Sequence, residues 1–205
     1  MPRIPAEQRR AELVAAAWRV MAAEGVAAAT TRAIVAEAGM PLGAFHYCFR
    51  DKAELFHELV RHTVTEDLAA AMAPLKVTTD VRKALRDSLR GLWQRMTADR
   101  DRQLVLNELT AFSLRDPALV ELQVWKYQQY LDGATRYFET LAERAGVSWG
   151  IPTALVGRMF VAVLGGASDT WLVTGDSAGG WQMLRAFATA LAAQTRPLAP
   201  GRRTA

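Results

Sequence analysis

Between residues 30 and 52 the chain gathers side chains suited to binding rather than to breaking bonds. Thr30 and Thr31 carry hydroxyls, Arg32 a forked cation, His46 an imidazole, Tyr47 a phenol on an aromatic plate, and Lys52 an ammonium. Among them Gly43 and Ala44 are small, so that backbone can come close to a partner. Such a set donates hydrogen bonds and positive charge to an anionic or edge-on polar surface. The rest of the inventory argues against catalysis. All three histidines, His46, His57 and His62, precede Thr63, and Cys48 is the single cysteine. From Thr63 onward there is no material for a His-based triad, a thiol nucleophile or a His/Cys metal site. His57 and His62 are five apart and do not share a helix face well. Only carboxylate chemistry through Glu108 and Asp169 would remain, and no motif supports it, so neither an enzyme nor a bound cofactor or metal is expected.

The elements that position these residues are helices. Apolar residues recur three or four apart, and period-two β-branched alternation is almost absent. The pattern predicts a first helix over about 6–24, with Leu13, Ala17, Val20 and Met21 on one face and Gly25 as a left-handed stop. Thr30 caps a short helix through Ala38, Gly39 ends it, and Pro41 restarts the chain for a second short helix over about 42–48. Asp51-Lys52-Ala53-Glu54 has the form of a capping box and opens a longer helix that Pro74 should close. Thr79 or Asp80 caps a helix striped by Val81, Leu85, Leu89, Leu92 and Met96. The charged run Asp99 to Arg102 interrupts it before a helix reaching Leu114. Asp116-Pro117 reads as the start of a helix to about Ala145, and residues 146–152 read as a loop. Two last helices cover about 152–174 and 177–194, and 197–205 reads as a disordered basic tail. The division that follows is 1–50, a bridging helix over 51–74, and a larger helical unit over 75–196.

Two short helices meeting at a glycine turn, the second presenting its N-terminal residues, have the layout of a helix-turn-helix. Lys52 in the first turn of the next helix opposes the helix dipole, which is unfavourable unless an anion such as phosphate lies nearby. A generic helical hairpin would also explain a lone Gly39. The joint spacing of Gly39, Gly43, Tyr47, Phe49 and Lys52 argues for DNA. With Glu24-Gly25-Val26, Thr30, Ile34, Ala38-Gly39-Met40, Phe45 and Leu55, the first fifty-odd residues resemble the DNA-binding domain of the TetR family of transcriptional regulators. The resemblance implies an all-α fold of about nine helices. An N-terminal three-helix DNA-binding domain would precede a larger bundle for ligand binding and dimerisation. It also implies phosphate contacts from Thr30 or Thr31, Tyr47 and Lys52, and base-edge contacts from Arg32, Leu42, Gly43, Ala44 and His46. Ile34, Phe45, Phe49 and Leu55 would pack. Three positions depart from the family pattern: Pro41 replaces a Ser or Thr cap, His46 a first aromatic, and Cys48 another aromatic or His.

The larger unit holds Trp93, Met96, Phe112, Trp125, Tyr127, Met159 and Trp171, which either pack the core or line the effector cavity that the resemblance implies. Glu108 lies in a strongly apolar helix and Asp169 interrupts another. Each carboxylate is therefore either paired, for instance with Arg158, or turned toward a polar feature of the cavity. Gly157, Ala162, Gly165 and Gly166, together with Leu184, Phe187 and Leu191, mark the last two helices as the dimerisation candidates. The expected partners are double-stranded DNA, a second copy of the chain and a small-molecule effector. A helical interaction protein without operator binding, and a carboxylate enzyme on the same scaffold, are the competing readings.

Composition bounds these readings without deciding among them. The 205 residues are 51% hydrophobic and 22% charged, enough to bury a sizeable core, with a net charge of +4. That excess is not a patch, because the N-terminal arginines alternate with Glu7, Glu12, Glu24 and Glu37. One cysteine excludes an intramolecular disulfide and suits a reducing compartment, the cytoplasm. The N-terminus lacks the apolar core of a secretory signal, and the run from Met159 to Ala167 is too short to cross a bilayer.

Overall fold

The computed structural model describes residues 5–72 and 79–198. The expected stop at Pro74 and the tail cations Arg202 and Arg203 lie outside the described residues. Nine α-helices occur among those described: α1 (Ala6–Glu24), α2 (Thr31–Glu37), α3 (Leu42–Cys48), α4 (Lys52–Met72), α5 (Val81–Ala98), α6 (Arg100–Ser113), α7 (Val120–Ala145), α8 (Thr153–Thr174) and α9 (Ser177–Ala192). One turn of tighter helix, Val26–Ala28, follows α1. The all-α expectation holds, with one addition. Residues read as loop and tail form a two-stranded antiparallel sheet, β1 (Val147–Trp149) with β2 (Thr195–Pro197), in which Val147 faces Pro197 and Trp149 faces Thr195. Pro197 thus belongs to a short strand pair, where a missing N–H is tolerated, and not to a frayed tail.

Helix ends follow their capping chemistry. Thr30 Oγ1 accepts the Ala33 N–H at 3.2 Å, Asp80 accepts from Lys83 at 2.9 Å, and Asp176 from Gly179 at 2.8 Å. Gly179 and Gly180 therefore lie in the first turn of α9. Only Asp99, in extended backbone, separates α5 from α6. The start of α7 departs from expectation. Asp116 turns the chain first, its carboxylate accepting the Ala118 N–H at 3.0 Å and its carbonyl those of Leu119 and Val120, so regular helix begins at Val120.

The chain forms two compact units, one from the residues up to Thr63 together with Arg100–Lys126, the other from Val64–Asp99 and from Tyr127 onward. This partition differs from the segmental one in giving α6 to the N-terminal unit. Glu108 supplies a reason, since its carboxylate accepts the Val26 N–H at 2.9 Å. Glu108 also lies against Gly25, which has φ +87 and ψ 166: positive, but extended and not the left-handed helical stop expected. The positive φ calls for glycine, and a Cβ there would press the Glu108 carboxylate at 3.1 Å. The core of this unit is Leu13, Ala17, Met21, Ile34, Phe45, Phe49, Leu55, Phe56, Leu59 and Leu109, all buried. In the second unit, Leu85, Leu89, Phe138, Leu141, Phe160, Leu164 and Leu184 form the centre. Tyr137 stacks on Phe160 there, and its hydroxyl meets Ser88 Oγ at 2.8 Å.

Two buried polar groups generate stability predictions. Burial pushes the Lys126 ammonium down to about 8 from its usual 10.5, although Nζ donates to Thr110 Oγ1 at 2.7 Å. A lysine with a folded value below its unfolded one costs stability while charged. That cost is full below pH 8 and is relieved as pH rises toward 10.5. Chemical denaturation should therefore find Lys126→Met more stable than the parent at pH 7, by on the order of 1–3 kcal/mol, with the gain shrinking between pH 8 and 10.5. A pH-independent difference would contradict this. Tyr137→Phe should cost about 1–3 kcal/mol because it strands the buried Ser88 hydroxyl, while Tyr137→Phe with Ser88→Ala should recover most of it. Urea titration of the three variants checks both signs.

Candidate nucleic-acid interface

Everything that points outward between α2 and α3 is held by what points inward. α2 ends in a left-handed turn at Gly39 (φ +63), with the Met40 N–H donating to Val35 O at 2.8 Å and the Gly39 N–H to Ala36 O at 3.1 Å. This paired closure satisfies the last carbonyls of α2 and swings the chain into α3. Ile34 and Val35 from α2, and Phe45 and Cys48 from α3, are buried, with Phe45 against Phe49 at 5.6 Å between centroids. The opposite face is solvent-accessible. Thr30, Arg32, Leu42, Gly43 and His46 are exposed, Tyr47 is 64% exposed, and Thr31 and Ala44 are half-buried. Eight of the nine expected DNA contacts thus lie on or at the cap of these two short helices and are at least partly accessible, six of them fully exposed. Thr30 caps α2 through an oxygen lone pair, which leaves its O–H as a donor. Pro41 makes no side-chain cap to α3.

Lys52 takes up a different environment. Its ammonium lies 5.3 Å from the Phe56 ring and 5.1 Å from that of Phe112, so cation–π attraction holds the head over two aromatic faces. This offsets the unfavourable dipole at the start of α4 without a phosphate. Only half of the expected capping box is closed. Asp51 Oδ1 accepts the Glu54 N–H at 2.8 Å, while the Glu54 carboxylate turns to the Arg50 N–H at 2.9 Å and the Arg50 side chain at 3.1 Å. That backbone hydrogen bond, with the Arg50 and Arg10 side chains, holds the Glu54 carboxyl below its usual range.

Several contributors escaped sequence reasoning. The Arg9 guanidinium stacks 5.4 Å over the Tyr47 ring, orienting the phenol from α1. Arg10, Glu54 and Glu58 join α1 to α4, and Arg19 pairs with Glu37 at 2.6 Å and Glu12 at 2.8 Å. The available signal was the i, i+4 spacing of Glu54 and Glu58 behind a doublet of arginines, which reads equally well as a solvated face.

The candidates for effector and dimer contacts are redistributed. Glu108, Phe112 and Trp125 belong to the N-terminal unit, and Trp93, Met96, Tyr127, Met159 and Trp171 to the other. Trp93 and Trp171 are buried against each other, centroids 6.0 Å apart, and Trp93 Nε1 donates to Ser177 O at 3.2 Å. Both belong to the buried cluster of this unit, and the half-buried Met96 packs against it. Trp125 lies under the Arg61 guanidinium at 5.4 Å. Tyr127 is 53% exposed and Met159 39%, and Asp169 is exposed, not buried as its apolar helix suggested. A shallow groove of about 170 Å³ beside Trp171, Thr170, Asp176 and Met183 is smaller than the roughly 300–1,000 Å³ of a drug-sized site. On the α8–α9 face, Leu184 and Leu191 are buried within their own unit, and Gly157 backs onto the Thr135 backbone, so none of the three can meet a partner. Phe187 is half-buried, whereas Ala162, Gly165 and Gly166 are exposed. They lie with Leu155, Met159 and Val173 along the outer face of α8.

The comparisons with known proteins agree with this geometry. Residues 13–59 match the profile described as bacterial regulatory proteins, tetR family, a span that contains α2, the glycine turn and α3. The HTH-type nicotine-responsive transcriptional repressor HdnoR of Paenarthrobacter nicotinovorans is 26% identical over 166 residues, covering 81% of this chain and 84% of that protein. Among solved structures, a TetR-family regulator from Rhodococcus sp. superposes with a TM-score of 0.77 at 18% identity, over 90% of this chain and 98% of the other. One from Mesorhizobium loti gives 0.74 at 19%, over 94% and 99%. The SmeT–triclosan complex gives 0.73 at 19%, over 89% and 90%. Residues 13–59 thus carry the tetR-family match, and over nearly the whole length the helical fold is the one found in these TetR-family structures.

Proposed function

We propose that the protein is a repressor that binds a pseudo-palindromic operator as a homodimer and is released by a small, mostly apolar effector. The observation that carries this reading is the exposed face of α2 and α3, where a buried apolar side fixes a surface of hydroxyl, guanidinium, imidazole and phenol groups around small residues. Arg32 and His46 can donate to base edges in a major groove, and Gly43 and Ala44 leave room for the approach. Thr30, Thr31 and Tyr47 supply neutral donors to phosphate oxygens. Lys52 joins them if its ammonium leaves the two rings. The relative described as a nicotine-responsive repressor and the neighbour solved with triclosan support control by a small molecule.

Dimerisation rests on the outer face of α8, where Ala162, Gly165 and Gly166 permit close helix approach and Leu155, Met159 and Val173 offer apolar area. A two-fold dimer reads half-sites about 34–36 Å apart, or a multiple of that spacing. α4 has residues in both compact units, so effector-driven movement of α4 would change the separation of two recognition helices. The enzymatic reading loses its best residue, because Glu108 is engaged by the Val26 N–H. No described helix is long and apolar enough to cross a membrane.

Selection of bound duplexes from a random pool should enrich an inverted repeat. Arg32→Ala should change which bases are preferred at one position of each half-site, whereas Tyr47→Phe should weaken all sequences alike. Lys52→Ala should lower the slope of log affinity against log salt by about one per subunit. A pool that shows no enrichment would refute the reading. An unchanged salt slope would leave Lys52 as a purely aromatic-packing cation.

A further inference from the structure

The guanidinium of Arg10 on α1 is engaged by three groups from the end of α3 and the start of α4. Nη1 donates to the Cys48 carbonyl, which lies in the last turn of α3, and approaches Glu54 Oε1 at 3.4 Å. Nε donates to Glu58 Oε2 at 3.1 Å and Nη2 donates to the same oxygen. The guanidinium carbon also lies 4.2 Å from the centroid of the Phe49 ring. Glu54 and Glu58 stand one turn apart on the same face of α4, so one planar fork bridges both carboxylates and a helix-terminal carbonyl.

That arrangement answers a specific need. α3 has seven residues, and a helix so short leaves most of its terminal carbonyls without intrahelical donors. A cation at its C-terminal carbonyl also meets the negative end of its dipole. We propose that Arg10 is a specificity-determining positioning residue, which sets the angle of α3 by tying its last turn to α4, so that Gly43, Ala44 and His46 meet base edges in one register. This rests on the reading of the α2–α3 face as the DNA-reading surface. It adds that selectivity depends on a residue whose polar contacts are to the protein itself. The proposal separates Arg10 from a phosphate-binding arginine by chemistry. A lysine keeps the charge but cannot hold two carboxylates and a carbonyl with one planar group.

The test is fluorescence anisotropy of the full-length protein with its best selected duplex and with a scrambled duplex, across a salt series. Arg10→Lys and Arg10→Met should each lower the ratio of specific to non-specific affinity by about tenfold, with the non-specific affinity and salt slope of Arg10→Lys unchanged. Glu58→Gln should lower the ratio in the same direction by a smaller factor. It keeps an oxygen for Arg10 and so carries the test on a folded protein if either Arg10 variant unfolds by circular dichroism. An unchanged ratio in both Arg10→Lys and Glu58→Gln would overturn the proposal. A salt slope reduced by about one in Arg10→Met would also overturn it, by placing Arg10 on a phosphate. Absence of any sequence preference in the parent protein would instead overturn the DNA-reading assignment on which the proposal rests.

Discussion

Seven residues do not make a stable helix in water, and the surface assigned to DNA is carried by two helices of that length, α2 and α3. Their order has to be supplied from outside. The Thr30 cap and the paired hydrogen bonds around Gly39 fix the ends of α2. Phe45 and Cys48 turn the inner side of α3 into the core beneath, and Arg10 takes the carbonyl at its end. α6 adds a contact from elsewhere in the sequence, Glu108 accepting the Val26 N–H just before Thr30. These contacts give the exposed residues defined positions. A base-reading surface needs that order, since a hydrogen bond to a base edge discriminates only when its donor arrives in one geometry.

The electrostatics follow the same logic. A net charge of +4 suggests a general attraction to nucleic acid, yet many N-terminal cations are held by nearby carboxylates. Arg10 is matched to Glu54 and Glu58, Arg19 to Glu12 and Glu37, and Arg50 to Glu54, while Lys52 lies over Phe56 and Phe112. Exposed pairs such as those of Arg19 add little stability, but they lower the unscreened positive charge of the domain. The proposed DNA-reading surface thus has a few positioned donors and little unscreened charge to rely on.

How much of this was legible in the residues depends on whether a contact is local. Capping and glycine stops are local chemistry, so the bounds of α1, α2, α3 and α9 follow closely from Gly25, Thr30, Gly39 and Asp176. The helix-turn-helix was legible for the same reason. Contacts between distant segments were not. Glu108 reads as a carboxylate either paired with an arginine or facing a polar cavity feature, and its contact is a backbone N–H 82 positions earlier. Trp93 and Trp171 read equally as core or cavity, and periodicity could not show that they pack on each other with Trp171 also bordering the shallow groove. Leu184 and Leu191 show an apolar stripe, yet periodicity does not say which of two neighbours a stripe faces; in the fold it faces inward. The strand pair of Val147 with Pro197 joins segments fifty residues apart and is too short for alternation to reveal.

The central claim is that the outward side of α2 and α3 reads DNA, and amide chemical shifts test it residue by residue. Titrating the isotopically labelled protein with its selected duplex should perturb the backbone amides of Arg32, Gly43, Ala44, His46 and Tyr47 most strongly, with saturation at one duplex per dimer. If those amides stay unmoved while others shift, the surface is misassigned and the account fails at its root.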